Sequence, residues 1–325
     1  MFHPKIKHIA ILTSGGDAPG MNTAIRAVVR TAIANNIEVT GVLQGYTGLL
    51  THNTIPLDIR SVRDIIQQGG TILYSSRCPE FKEQAYQIKA INFCRSLGLD
   101  ALVVIGGDGT FRGAVDLSRL GLPCIAIPGT IDNNIPATDY TIGFDTACNT
   151  VIQMVDRLRD TSQSHNRCSV VEVMGGNSGY LALEAGIACG ATAILMPEVN
   201  FDLKKDVLDR ITEGLASGRQ HFIIMVAEGA GSATELAPII GARTGIETKA
   251  TVLGHVQRGG SPTAFERVIA SQMGHRAVQL LLDGSSGRVI IRRNGVIDDM
   301  DIEEALATTR GIDESLYKVA RDISL

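Results

Sequence analysis

The chain has 325 residues, 44% of them hydrophobic and 20% charged, a length that fits two domains better than one core. A net charge of −4 gives no broad basic field for nucleic acid or an anionic membrane, so anions must be met by local arginines and backbone amides. Trp is absent and aromatics are only 4%, against 35 glycines, so the core must be built from Ile, Val, Leu and Ala around tight turns.

The predicted elements run in chain order as follows. Residues 1–7 contain no apolar stretch of the kind a secretory leader needs. Residues 9–12 read as a buried strand, 13–20 as a loop and 21–34 as a helix. A strand over 39–42 follows, then a helix over 84–96, a strand over 101–105 and a helix over 111–120. Further strands are predicted over 123–127, 169–173, 193–196, 222–226 and 251–253, with a helix over 146–159. The strands are continuously apolar rather than alternating, which argues for parallel sheets covered on both faces. The fold class expected is therefore α/β, with two doubly wound, mostly parallel three-layer domains. No apolar run approaches the length of a membrane span, and a cytoplasmic location is expected. Six scattered cysteines, Cys78, Cys94, Cys124, Cys148, Cys168 and Cys189, form no CxxC pair and read as reduced core residues.

In doubly wound sheets ligands bind outside the carboxyl ends of the strands. Three glycine-rich turns fall there: Gly15-Gly16-Asp17, Gly106-Gly107-Asp108-Gly109-Thr110 and Gly129-Thr130-Ile131-Asp132. The second lets backbone amides and a helix N-terminus approach phosphate. An Asp among those donors makes sense if Mg²⁺ intervenes, since that ion takes one or two carboxylates plus phosphate oxygens. The plain alternative is a tight turn with Asp108 as a helix cap. The spacing is neither GxGxxG nor Walker A, which disfavours a dehydrogenase or a P-loop enzyme. Asp132 can accept a hydroxyl proton beside a bound phosphate or can simply close an Asx-turn. Arg77, Arg167, His255 and Arg258 stand in small or apolar contexts, and Gly254-His-Val-Gln-Arg-Gly-Gly260 offers two donors to one anion; singly, each Arg also fits a surface ion pair.

These segments resemble bacterial ATP-dependent 6-phosphofructokinases over essentially the whole chain. The matching stretches are Leu12-Thr-Ser-Gly-Gly-Asp-Ala-Pro-Gly-Met-Asn22, Gly106–Thr110, Pro128-Gly-Thr-Ile-Asp-Asn133, Asp139-Tyr-Thr-Ile-Gly-Phe144, Val171-Glu-Val-Met-Gly175 and Ala250-Thr-Val-Leu-Gly-His-Val-Gln-Arg-Gly-Gly-Ser-Pro262. Gly106–Thr110 alone is also similar to NAD kinases and diacylglycerol kinases. The resemblance implies an ATP domain of residues 1–142 and 256–306, a sugar-phosphate domain of 143–255 and 307–325, and an active site between them. It implies a homotetramer whose active sites are shared across subunits, with ATP and fructose 6-phosphate as partners and Mg²⁺ as cofactor.

Carried over residue by residue, Gly16, Tyr46, Arg77, Cys78, Gly107, Asp108, Gly109 and Thr110 would hold ATP, and Asp108 would bind the metal. Asp132 would be the general base, with Thr130 and Arg77 as the other catalytic residues. Thr130, Ile131, Asp132, Met174, Gly175, Gly176, Glu228, His255 and Arg258 would meet the sugar phosphate, with Arg167 and Lys249 arriving from a neighbouring subunit. An effector site would draw on Arg26, Arg30, Arg159, Arg219 and His221. The family's pyrophosphate users carry Asp where Gly109 stands and Lys where Gly129 stands, so the resemblance implies ATP as donor.

The departures are specific. The family usually has Asp at position 134, Arg at 176 and Arg at 249, where this chain has Asn134, Gly176 and Lys249. Around the effector site Ile59, Thr192 and Ser217 replace an Arg, an acid and a Lys. Two alternatives to the kinase therefore stay open: a weakly active or non-catalytic regulatory paralogue, and a kinase of the same superfamily acting on another sugar phosphate.

Overall fold

The computed structural model describes residues 6–324; residues 1–5, part of the stretch read above as carrying no leader, and Leu325 lie outside them. The described chain divides into two compact units. Unit one holds residues up to Thr130, then Ile135–Asp145 and Arg258–Arg310; unit two holds Ile131–Asn134, Thr146–Gln257 and Gly311 onward.

The chain begins with β1 (His8–Thr13), α1 (Met21–Ala34), β2 (Glu38–Val42), α2 (Tyr46–Thr51) and β3 (Thr54–Leu57). It continues through α3 (Gln84–Ser96), β4 (Ala101–Gly106), α4 (Asp108–Arg119), β5 (Cys124–Pro128) and the long α5 (Phe144–His165). Next come β6 (Cys168–Val173), α6 (Tyr180–Ala188), β7 (Ala193–Leu195), α7 (Asp209–Ala216), β8 (Phe222–Ala227), α8 (Ala233–Thr244) and β9 (Thr248–Val252). The last elements are α9 (Ala264–Leu282), β10 (Arg288–Arg293), β11 (Val296–Asp301), α10 (Ile302–Ala307) and α11 (Glu314–Asp322).

Unit one is built on a seven-stranded sheet of order β11-β10-β5-β4-β1-β2-β3. Its central strands are parallel, while β3 and β11 run antiparallel at the two edges. Every residue of β4 and β5 is buried, as their unbroken apolar sequence requires. The strand order reverses between β1 and β4, and the crevice outside their carboxyl ends is where such sheets bind ligands. Unit two carries a four-stranded parallel sheet of order β7-β8-β6-β9, with β9 at an edge. Its core is formed by Val170, Ile211, Phe222, Ile224, Val226 and Ile240 among others.

Several boundaries differ from the sequence reading for physical reasons. The helix expected from 111 starts at Asp108, so Asp108 lies inside the first turn and Gly107 takes the cap position without a side-chain cap bond. The strand expected over 251–253 is β9 from Thr248, since an exposed edge strand need not be apolar. The helix expected over 146–159 spans Phe144–His165. All six cysteines are free, five buried and Cys78 half-buried, in keeping with reduced core residues.

Candidate active site

The first cluster lies at the reversal point of the unit-one sheet. The loop after β1 and the loop after β4 are tied together: Ser14 N–H donates to the Ile105 carbonyl at 3.0 Å, and Thr110 Oγ1 donates to the Ser14 carbonyl at 3.2 Å. Thr110 is therefore buried and structural on its hydroxyl side. Beneath it, Tyr46 is 4% exposed, stacks on Phe81 with ring centroids 4.2 Å apart and donates to the Thr110 carbonyl at 2.6 Å. Burial pushes the Tyr46 hydroxyl well above its ordinary pKa, so it stays a donor. This places Tyr46 as a prop under the loop, its ring occupied by protein.

Gly107 and Gly109 face open space: a Cβ built at either would meet no atom within 4 Å. Between them stands the exposed Asp108, whose carboxyl is held above the usual range by partial desolvation, against the pull of Arg112. Such a carboxylate, beside helix N–H groups, suits a cation shared with phosphate oxygens. Among the described residues no three His, Cys, Asp or Glu side chains cluster as a protein-only metal cage, and a Mg²⁺ held largely by phosphate needs none.

Arg77 is exposed and Cys78 half-buried, its thiol directed at Glu80 Oε2 at 3.7 Å. Arg258 lies over Gly16: its guanidinium donates to the Asp17 carbonyl at 3.0 Å, and a Cβ at Gly16 would come within 2.3 Å of it. One of its five donors is thus spent on the loop. Thr130 is half-buried, and its carbonyl accepts Thr141 Oγ1 at 2.6 Å. Gly129 is closely walled, since a Cβ there would stand 3.0 Å from Ile105 Cγ2 and 3.1 Å from Met21 Cε. Sequence reasoning missed Ser75, whose hydroxyl donates to the Gly15 carbonyl at 2.6 Å; nothing in its context singled it out.

The second cluster lies at the carboxyl ends of β6, β8 and β9 in unit two. Met174, Gly175 and Gly176 follow β6, Glu228 follows β8 and His255 follows β9. Glu228 Oε1 accepts the Gly175 and Gly176 amides at 3.2 and 2.7 Å, so the Glu228 carboxylate is partly committed to shaping the turn. Gly175 and Gly176 adopt φ of 146° and 59°, which favours glycine. Asp132 is half-buried, with its carbonyl accepting Ser178 Oγ at 3.2 Å; Asn134 is exposed, and the Ile131 side chain is fully buried, leaving only its backbone for a ligand. His255 and Arg258, read together on one anion, fall in different units.

Arg167 and Lys249 both pair with Glu247, at 2.7 and 3.1 Å, and hydrogen bonds from both hold the Glu247 carboxyl below its usual range. Of the effector residues, Arg26 and Arg30 share α1 in unit one, where burial and then Arg30 lower the pKa of Arg26. Arg159, Arg219 and His221 belong to unit two; burial, then Arg159 and Arg219, lower the pKa of His221. Arg159 donates to the Cys189 carbonyl and Arg219 to the Ser324 carbonyl, the latter at 3.3 Å.

A family model described as phosphofructokinase matches residues 8–281. ATP-dependent 6-phosphofructokinase 1 of Clostridium perfringens is 55% identical over 319 residues, covering 98% of this chain and 100% of that protein. The ATP-dependent 6-phosphofructokinase of Clostridium acetobutylicum is 52% identical over the same shares. Among solved structures, phosphofructokinase from Saccharomyces cerevisiae superposes with a TM-score of 0.87 at 34% identity, covering 98% of this chain and 48% of that one.

Proposed function

The chain belongs to the phosphofructokinase family, and we propose that it catalyses the reaction of an ATP-dependent 6-phosphofructokinase, moving the γ-phosphoryl group of ATP to the 1-hydroxyl of fructose 6-phosphate. The observation that carries this reading is the loop at the reversal point, where Gly107 and Gly109 leave open space around Asp108 at the start of α4.

In this reading Gly16, Gly107, Gly109 and the first amides of α4 receive the nucleotide phosphates, with Arg77 and Cys78 beside them. Asp108 would hold Mg²⁺, which when bound spreads and neutralises phosphate charge. The sugar's 1-oxygen attacks the γ-phosphorus, the bond to the β–γ bridging oxygen breaks, and ADP departs. Asp132 takes the hydroxyl proton, and Thr130 and Arg77 orient and neutralise the transferring group. Met174, Gly175, Glu228 and His255 take the sugar phosphate, with Arg258 contributing charge. Arg167 and Lys249 serve a neighbouring copy of the chain in a homotetramer. The product, fructose 1,6-bisphosphate, would belong to glycolysis, and a cytoplasmic location goes with this reading.

The test is a coupled assay of ADP release with ATP and fructose 6-phosphate, repeated with pyrophosphate and with other sugar phosphates. Turnover confined to ATP and fructose 6-phosphate is the expected result. No turnover, or faster turnover with another donor or acceptor, would replace this reading.

A further inference from the structure

Gln257 is a fully buried polar side chain, with 0% exposure, standing between His255 and Arg258 in sequence. Its Oε1 accepts the Met174 amide at 3.2 Å, and its Nε2 donates to the Gly254 carbonyl at 2.9 Å. One planar amide thus joins the turn after β6 to the turn after β9. Both turns use left-handed glycines, at Gly175, Gly176 and Gly254, whose backbones hold no shape by themselves. The turn after β6 is suspended from two side chains: the Met174 amide from Gln257, and the Gly175 and Gly176 amides from Glu228. A side-chain amide carries an acceptor and a donor at the spacing this bridge needs whatever the pH, whereas a carboxyl does so only when protonated. Leaving either backbone group unpaired in a buried place is costly.

We propose that Gln257 is a positioning residue for sugar-phosphate recognition, fixing Met174 and His255 in register across the ends of β6 and β9. The inference rests on the reading of these turns as the sugar-phosphate contacts. Gln257 touches no substrate in this account; it sets the separation of two groups that do.

Two variants test it. Gln257→Met keeps the volume and removes both bonds; the KM for fructose 6-phosphate should rise about tenfold, with the KM for ATP unchanged and kcat within a few-fold. Gln257→Glu is isosteric and supplies a pH readout. Ionised, it can accept from Met174 but cannot donate to Gly254; protonated, it does both. Burial raises the pKa of such a carboxyl, so the variant's sugar KM, taken as a ratio to the parent's, should fall toward one as pH is lowered. Glu228 and Glu172 on neighbouring segments and His255 also titrate, but both proteins carry them and the ratio removes them. A sugar KM unmoved in both variants overturns the proposal, as does a parallel change in both substrates' KM accompanied by loss of thermal stability. His255→Ala separates the premises: if it leaves the sugar KM unchanged, the sugar reading of the turn fails; if it raises that KM while both Gln257 variants do not, only the role of Gln257 fails.

Discussion

Gly109→Asp places a carboxylate where the structure leaves room for a ligand. A Cβ at position 109 meets nothing within 4 Å, and the residue is the second of α4, so the protein itself accommodates the change. Replacing a helical glycine by aspartate gains only a few tenths of a kcal/mol, since aspartate is itself a poor helix former, and an acidic group in a first helical turn gains roughly 0.3–1 kcal/mol, offset in part by the neighbouring Asp108. The melting temperature should therefore hold or rise. ATP meets the opposite balance. A carboxylate about 4 Å from one phosphate charge is repelled by ~1 kcal/mol in bulk water and ~4 kcal/mol at an effective dielectric of about 20. The KM for ATP should rise roughly fivefold to several-hundred-fold, while the KM for fructose 6-phosphate stays near the parent value. Gly109→Ala, adding only a methyl, should fall between and so separate shape from charge. The assay is coupled ADP release across ATP concentrations, with thermal denaturation of the same samples. An unchanged ATP KM in Gly109→Asp would refute the placement of phosphate over this glycine; a large drop in melting temperature would refute the claim of free space.

Asp132→Asn keeps the side chain's shape and removes proton acceptance, so kcat should fall by at least ~10² with nucleotide affinity little changed; turnover within a few-fold of the parent rules out the base. Gly176→Arg meets no atom within 4 Å at its Cβ but must sit at φ 59°, so it should cost about 1–2 kcal/mol of stability and still lower the sugar-phosphate KM about tenfold or more. A KM unchanged or worse with the fold intact would mean that the turn is built around its glycine. In Asp299, burial raises the carboxyl pKa, but hydrogen bonds from Arg276 and Arg288 outweigh it and hold the group below its ordinary range. Its stabilisation is therefore present above the unfolded pKa and lost as pH falls through the folded one. Asp299→Asn should cost about 2 kcal/mol at neutral pH, discounted for the partly exposed arginines, and its unfolding curves should lose that acid dependence. Equal pH profiles for the two proteins would count against the ion pairs.

The central architecture was legible because β4, β5 and β8 are almost unbroken apolar runs, β1 and β6 are mostly apolar, and glycine turns follow these strands. The sheet edges were not. β3 has four residues, including Pro56, and pairs antiparallel with β2. β10 and β11 are rich in Arg and Asp and enclose Asn294-Gly295, both with positive φ, a hairpin signal that was present and overlooked. The unit boundaries were not legible, since the chain crosses between units several times and the glycines and prolines near those crossings, such as Gly259, Gly260 and Pro262, look like those of any other turn. Near the site, loop glycines and isolated charges were readable as types. What they bond to was not: Tyr46 spending its hydroxyl on Thr110, or Glu228 spending an oxygen on two amides, depends on folded distances.

Gly176 and Glu247 together bear on how this chain manages with fewer cations. An Arg at 176 would add charge, yet the turn keeps its course without one, because Glu228 takes the Gly175 and Gly176 amides and a Cβ at Gly229 would stand only 2.4 Å from the Gly176 carbonyl oxygen. What is lost at 176 is therefore attraction and not shape. Beside the amino end of β9, Glu247 gathers Arg167 and Lys249 on one carboxylate, and hydrogen bonds from both lower its pKa and favour the charged form. The trio carries one net positive charge, held in place at 2.7 and 3.1 Å before any ligand arrives. In the proposed reading a phosphate dianion recruiting those cations competes with Glu247, so part of their attraction is already engaged by that carboxylate. The two features act in the same direction. In the proposed reading they lower the affinity for sugar phosphate and leave Asp108 and Asp132, the residues proposed for phosphoryl transfer, in place. A change confined to substrate affinity is what separates a working kinase with a high KM from an inactive paralogue.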